Sequence, residues 1–230
     1  LNPEEQAYAL YMAADAYFQL GRFKDGIEAN KRFVSIEGFQ KAPVNEEELI
    51  RIMKQLPLGY KNSGEFDQCI ISAKGIISFL EKKDDAKWDF EILHLIEMVG
   101  SSHLALGAFE KAEEFFNQIL LYCPRAENPI SCETAHKMRI AEIEEKRRNY
   151  DKAERLYSEC IENFQAIKED TTLVFALFVS AGNLYYYQGK AKDAINAYRV
   201  SLRYSEDDSQ IAEFYSRIGA NYTILKQFKE

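Results

Sequence analysis

Apolar and polar positions alternate with a helical period along most of the chain, and glycine breaks that period at regular intervals. Between Ile96 and Pro124 the sequence reads I-E-M-V-G-S-S-H-L-A-L-G-A-F-E-K-A-E-E-F-F-N-Q-I-L-L-Y-C-P. Small residues stand at Gly100 and Ala112, larger apolar ones at Phe109, Phe116 and Ile119. Gly107 separates two helical patterns and Pro124 stops the second, so the stretch predicts a helical hairpin. The same layout recurs around Gly21, Gly64 and Gly189, with Arg148 and Lys226 in the glycine slot of two further copies. Successive slots lie 43, 43, 41, 41 and 37 residues apart. The predicted hairpins are residues 2–37, 45–81, 90–124, 131–164 and 171–204, with a partial unit at 209–230.

Each hairpin carries an apolar stripe that it cannot bury alone. A core forms when about three or more such units stack. Pro3 with Glu4 and Glu5, and Asn45 with Glu46, Glu47 and Glu48, mark helix starts. Gly26 supplies a small residue where two helices cross closely. Pro57 occupies the small-residue slot of the first helix in the second hairpin and predicts a kink or an early break there. It is either a harmless variation or a hinge. Asn128-Pro129 breaks the chain between the third and fourth hairpins. The charged run Glu142–Arg148 reads as a solvated face with i,i+4 pairs. Trp88, the only tryptophan, reads as packing between hairpins.

The signature of the 96–124 stretch resembles the tetratricopeptide repeat. Ile96 stands at its Trp position, Val99-Gly100 at Leu-Gly, His103 at Tyr, Ala112 and Phe116 at A-x3-F, and Pro124 at the closing Pro. The resemblance covers nearly the whole chain. It implies an all-α fold, a right-handed α-α superhelix (solenoid) of about five and a half hairpins in a single domain, 1–230. All spacings exceed the 34 residues of the standard repeat, so longer helices or longer loops are expected. The chain starts at Leu1 and stops one helix into its last unit, so it is expected to be excised from a longer protein.

In such an array the first helices line the concave face, and residues three or four apart point into it together. The expected partner-binding residues are Tyr8, Tyr11, Asp15 and Phe18; Arg51, Lys54, Lys61 and Asn62; His94 and Glu97; Glu142; and Asn183, Tyr186 and Tyr187. Arg51, Lys54 and Lys61 suit a carboxylate or an acidic peptide, and the aromatic sets suit apolar anchors. Solvated lysines and packing between repeats are the plain alternative. Repeats that grip chaperone C-termini use a Lys/Asn/Lys/Arg clamp. Here Asp15 and Leu58 stand in the two Asn slots, so that clamp is not expected.

A formal charge of −8 argues against general nucleic-acid or anionic-membrane binding, and no run of about 18 apolar residues predicts a membrane span. Four cysteines occur without a C-x-x-C pair. Cys69 and Cys160 fall on apolar helix positions and read as free and buried. Cys123 and Cys132 flank a loop and can pair in an oxidising compartment, but the simpler reading is a reduced, cytoplasmic protein. The three histidines lack metal-ligand spacing, and no nucleophile elbow, zinc-protease or phosphate-loop motif is present. His103 reads as an interior histidine in a tyrosine slot. Neither a metal nor a cofactor is expected, and a catalytic role is disfavoured. The chain reads as a non-enzymatic scaffold that binds a peptide or helix of a protein partner. The alternative is a peptide-sensing or self-associating regulatory module of a longer signalling or transcription protein, which allows a homodimer.

Overall fold

A computed structural model describes residues 2–36, 45–205 and 207–227. Among them all regular structure is helical: twelve α-helices and three short 3₁₀ turns. The chain forms two compact units, residues 1–118 and 119–230.

The first unit holds α1 (Pro3–Gln19) and α2 (Phe23–Ser35), α3 (Glu46–Asn62) and α4 (Phe66–Glu81), and α5 (Asp89–Ala105) and α6 (Phe109–Gln118). Each pair is an antiparallel hairpin, and α2 and α4 each pack against the first helix of the next hairpin. The starts follow the sequence signals. Asn2 and Glu5 form a reciprocal capping box ahead of Pro3, and the Asn45 side chain accepts the Glu48 N–H at 2.8 Å. The core between the first two hairpins gathers Ala7, Tyr11, Phe33, Leu49 and Ile52. Trp88 is buried in a 3₁₀ turn, Ala86–Trp88, that leads into α5.

The second unit holds α7 (Pro129–Lys146) and α8 (Tyr150–Glu162), the short α9 (Phe164–Ile167), α10 (Thr171–Tyr187) and α11 (Ala191–Leu202), and α12 (Asp208–Gln227). Asn128 and Asp170 cap α7 and α10 by accepting the N–H groups of Ser131 and Leu173. One core joins Tyr157, Cys160, Ile167, Val174, Leu177 and Leu184. A second joins α10, α11 and α12 through Tyr198, Phe214 and Ile218. First helices of 17 or 18 residues account for much of the long repeat spacing. The end of the expected partial unit, residues 228–230, lies outside the described residues.

The slots that set the repeat also set the backbone. Gly21, Gly64, Gly107 and Gly189 have φ between +70° and +76°, the left-handed conformation that ends the first helix and starts the turn. Arg148 takes φ +63° in the same slot, so the turn is kept without the residue that makes it easy. Seven residues earlier stand the small residues. A Cβ on Gly182 would lie 2.7 Å from the Tyr198 ring, and one on Gly100 would run into the Phe116 ring. Both rings come from positions nine residues past the turn. At Gly219, the corresponding residue of α12, a Cβ would meet nothing within 4 Å among the described residues.

Two expectations are corrected here. α3 runs unbroken through Pro57 to Asn62, and Pro57 is buried, so the early break is absent. The facing slot, where Phe116 and Tyr198 stand in other hairpins, holds the buried Ala73. A small partner leaves room for the proline ring. The charged run of α7 is not simply solvated either. The Glu144 side chain is only 2% exposed and accepts hydrogen bonds from Arg147 at 3.0 Å, Lys152 at 3.1 Å and Asn149 at 2.8 Å. Its carboxylate ties down the turn that Arg148 makes without glycine.

Candidate binding face

In the first unit α1, α3 and α5 lie side by side, and their facing side chains form a continuous polar ladder. Arg51 of α3 donates to Asp15 of α1 at 3.0 Å and to the Tyr11 hydroxyl at 2.6 Å. It also lies 3.7 Å from Glu48. The Tyr11 hydroxyl in turn donates to Glu48 at 2.5 Å. Burial, then this bond, pushes the Tyr11 pKa up to about 12. Gln55 donates to the same Asp15 Oδ1 at 2.6 Å. Further along, Lys54 pairs with Glu91 of α5.

The basic set singled out by sequence is therefore only partly uncommitted. Arg51 and Lys54 have carboxylate partners within the chain, whereas Lys61 makes no ion pair among the described residues. The Arg51 side chain still keeps 52% of its surface open. The same helices expose Tyr8, Met12 and Leu58, and the Tyr8 ring meets that of Tyr11 at 5.9 Å between centroids. Tyr11 and Phe18 do not share that exposure. Tyr11 is buried beneath Arg51. The Phe18 ring fills the space over Gly26 and Gly59 and serves packing. Asn62 is exposed at the end of α3.

His94 of α5 is open to water, and Glu97 one turn on is half-buried. The surrounding chain partly desolvates His94, and Lys54 and Lys61 add repulsion, so its pKa is held below the ordinary histidine value. Glu97 and Glu91 oppose the two lysines, and Lys54 is already paired with Glu91, so His94 lies among groups of both signs. His103 is buried and stacks on Phe115, ring centroids 5.6 Å apart, in keeping with a packing role.

In the second unit Asn183 of α10 accepts hydrogen bonds from the Tyr198 hydroxyl at 2.9 Å and from Arg217 of α12. Arg217 also pairs with Glu213 at 2.5 Å and lies over the Tyr198 and Phe214 rings. Asn183 thus holds helices together. Glu142 pairs with Arg139 at 3.2 Å. Glu145, one turn along, is raised in pKa by desolvation, with the nearby Glu142 adding to the rise against an opposing effect of Lys146. Tyr186 and Tyr187 are both exposed, and their rings meet edge to face at 5.6 Å.

Sequence reasoning missed Glu48, Gln55, Glu91 and Arg217, which complete these networks. Glu48 was legible only as an acid behind an N-cap, and pairing between successive first helices is invisible until their register is known. The cysteine reading is also corrected: Cys123 and Cys132 are joined by a disulfide, with Cα atoms 5.3 Å apart, while Cys69 and Cys160 are free and buried as expected. The loop between the hairpins is short enough to bring the two sulfurs together. Among the described residues no helix is long and apolar enough to cross a membrane.

Stacked antiparallel hairpins, small residues under aromatic rings and a left-handed turn between the helices define a helical-repeat protein. Tetratricopeptide repeat family profiles match residues 7–38 and 132–207. The chain carries tetratricopeptide repeats over these two stretches. No curated protein sequence matches it. Similar solved structures include the apo form of RapI, with TM-score 0.73 and 14% identity over 99% of this chain and 63% of that one. The apo quorum sensor NprR from B. thuringiensis matches with TM-score 0.74 and 13% identity over 96% of this chain and 60% of that one. A Rap protein in complex with competence and sporulation factor matches with TM-score 0.68 and 15% identity over 99% and 65%. The chain thus spans less than two thirds of each of these neighbours.

Proposed function

We propose that this chain is a protein-interaction scaffold whose first-helix face in residues 1–118 receives a peptide or extended segment of a partner. The reading rests on Arg51, which is pinned by Asp15 and the Tyr11 hydroxyl yet half open, on helices that also expose Tyr8, Met12 and Leu58. A side chain held in place by its own neighbours loses little entropy on binding. Arginine and aromatic residues are the groups that most often carry interface energy. Chemistry of this kind fits a segment with an acidic group for Arg51, Lys61 and His94 and apolar side chains for Tyr8, Met12 and Leu58. Binding rather than catalysis is the proposed role.

The test is a titration of fluorescent peptides of mixed acidic and apolar composition against the chain and its R51E and K61E variants. We expect each reversal to weaken the best binder about tenfold, with the helical circular dichroism signal unchanged. Equal affinity for both variants and the parent would remove this face from the proposal.

The regulatory context of a longer protein is favoured by the neighbours. NprR is a quorum sensor, and a Rap protein was captured with competence and sporulation factor. On this proposal the chain senses a peptide and passes the signal to a segment outside these residues.

A further inference from the structure

We propose that Cys123 and Cys132 form a thiol-exchangeable clamp on the connection into α7, opened by a dithiol reductant and closed by a disulfide oxidant. The four cysteines divide by position. Cys69 and Cys160 are buried. Burial pushes both thiols up, that of Cys160 to about 12, so neither offers a thiolate for exchange. Cys123 and Cys132 lie nine residues apart and are bonded to each other.

The bonded pair is asymmetric. Cys123 belongs to the 3₁₀ turn Cys123–Arg125 and is buried. Cys132 is half-buried and so the more open of the two; it stands four residues into α7, where the first turn favours its thiolate as the attacking group on closing. An incoming thiolate therefore reaches the Sγ of Cys132. The new S–S bond forms there, the Cys123–Cys132 bond breaks, and Cys123 leaves as a thiolate that takes up a proton. The second thiol of the reductant then attacks its own sulfur of the mixed disulfide. Cys132 is released as the second thiolate, and the reductant ends as a disulfide, oxidised by two electrons. Closing runs in reverse, with Cys132 attacking the oxidant first and Cys123 displacing it.

What the clamp holds is local. Turns Ile119–Leu121 and Cys123–Arg125 both pack against α7, and Ile119, Tyr122 and Cys123 are buried there. Asn128 anchors the far end, capping α7 and donating to the Ala166 carbonyl at 3.1 Å. Reduction leaves that anchor in place and frees the segment before it. The clamp is shut in an oxidising compartment and open in a glutathione-reduced one, which bears directly on where the chain works.

The test uses the whole chain. After equilibration with glutathione disulfide, denaturing alkylation should label Cys69 and Cys160 only, with a linked peptide pair spanning Cys123 and Cys132. After dithiothreitol all four should label. Backbone amides of residues 121–127 should exchange about tenfold faster in the reduced chain, at exchange times too short for the core amides of α10 and α11 to exchange in either state. Glutathione disulfide should modify Cys132 in C123S, but not Cys123 in C132S. Four free thiols under oxidising conditions would overturn the proposal. So would equal exchange in both states, or equal capture of Cys123 and Cys132 in the two variants. Exchange in the parent chain decides the matter even if a variant fails to fold.

Discussion

At the scale of single residues, Gly100, Gly182, Arg148 and Glu144 show what the repeat demands of single positions. Gly100 and Gly182 are small because rings lie on them, so Gly100→Ala forces the Phe116 ring to move. We expect a loss of about 1–3 kcal/mol, measured by urea denaturation. Arg148 makes the opposite case. A side chain at φ +63° carries a cost of about 1–2 kcal/mol, and Arg148→Gly should return part of it as a higher urea midpoint. Glu144 holds that same turn. Burial opposes its charge, but bonds from Asn149, Lys152 and Arg147 outweigh this and depress its pKa. Its contribution is therefore present above the unfolded carboxylate value near 4.5 and is lost as pH falls through the lower, folded value. Glu144→Gln should cost about 1–3 kcal/mol at pH 7. That gap should close on acidification below about pH 4. A gap that stays constant with pH would show that the carboxylate charge does not matter.

At the scale of elements, helix starts, turns and hairpins were legible, because each depends on a few neighbouring residues. Asn45 is a cap in the structure for the reason its position implies: a side-chain oxygen takes an N–H that the helix leaves unpaired. The early break expected at Pro57 does not occur, and that expectation considers a proline ring against its own helix alone. The room that Ala73 leaves on the facing helix is a property of the pair. The ladder of Asp15, Arg51 and Gln55, and of Lys54 and Glu91, was half legible. The cations were singled out, but their partners sit 36 or 37 residues away on the previous or next first helix. The terminal element depends on one such contact. Arg217→Ala removes the link from α12 to Asn183, and we expect faster amide exchange in residues 214–222 than in α10, read by mass spectrometry. The disulfide matters at this scale as well. Closing a loop of nine residues is worth about 2–3 kcal/mol in the chain-entropy account, so dithiothreitol should lower the urea midpoint.

At the scale of the molecule, the charge pattern decides what can bind. A net charge of −8 repels acidic partners at long range, so the proposed face must act through short contacts. Affinity for an acidic peptide should then depend only weakly on salt up to about 0.15 M, where the Debye length is about 8 Å. Binding also leaves a mark on His94. Its pKa is held low by partial desolvation and by Lys54 and Lys61. A carboxylate delivered beside it should raise that pKa, which proton NMR of the imidazole can follow.

Gly219 offers a different kind of reading. Its relatives under Phe116 and Tyr198 punish any added atom, whereas at α12 a methyl group meets empty space and gains the helix preference of alanine, about 1 kcal/mol. One mutation made at three equivalent addresses would therefore change sign between covered and bare notches. Stability alone could then report whether a further layer has been laid over the last helix, with no new structure required.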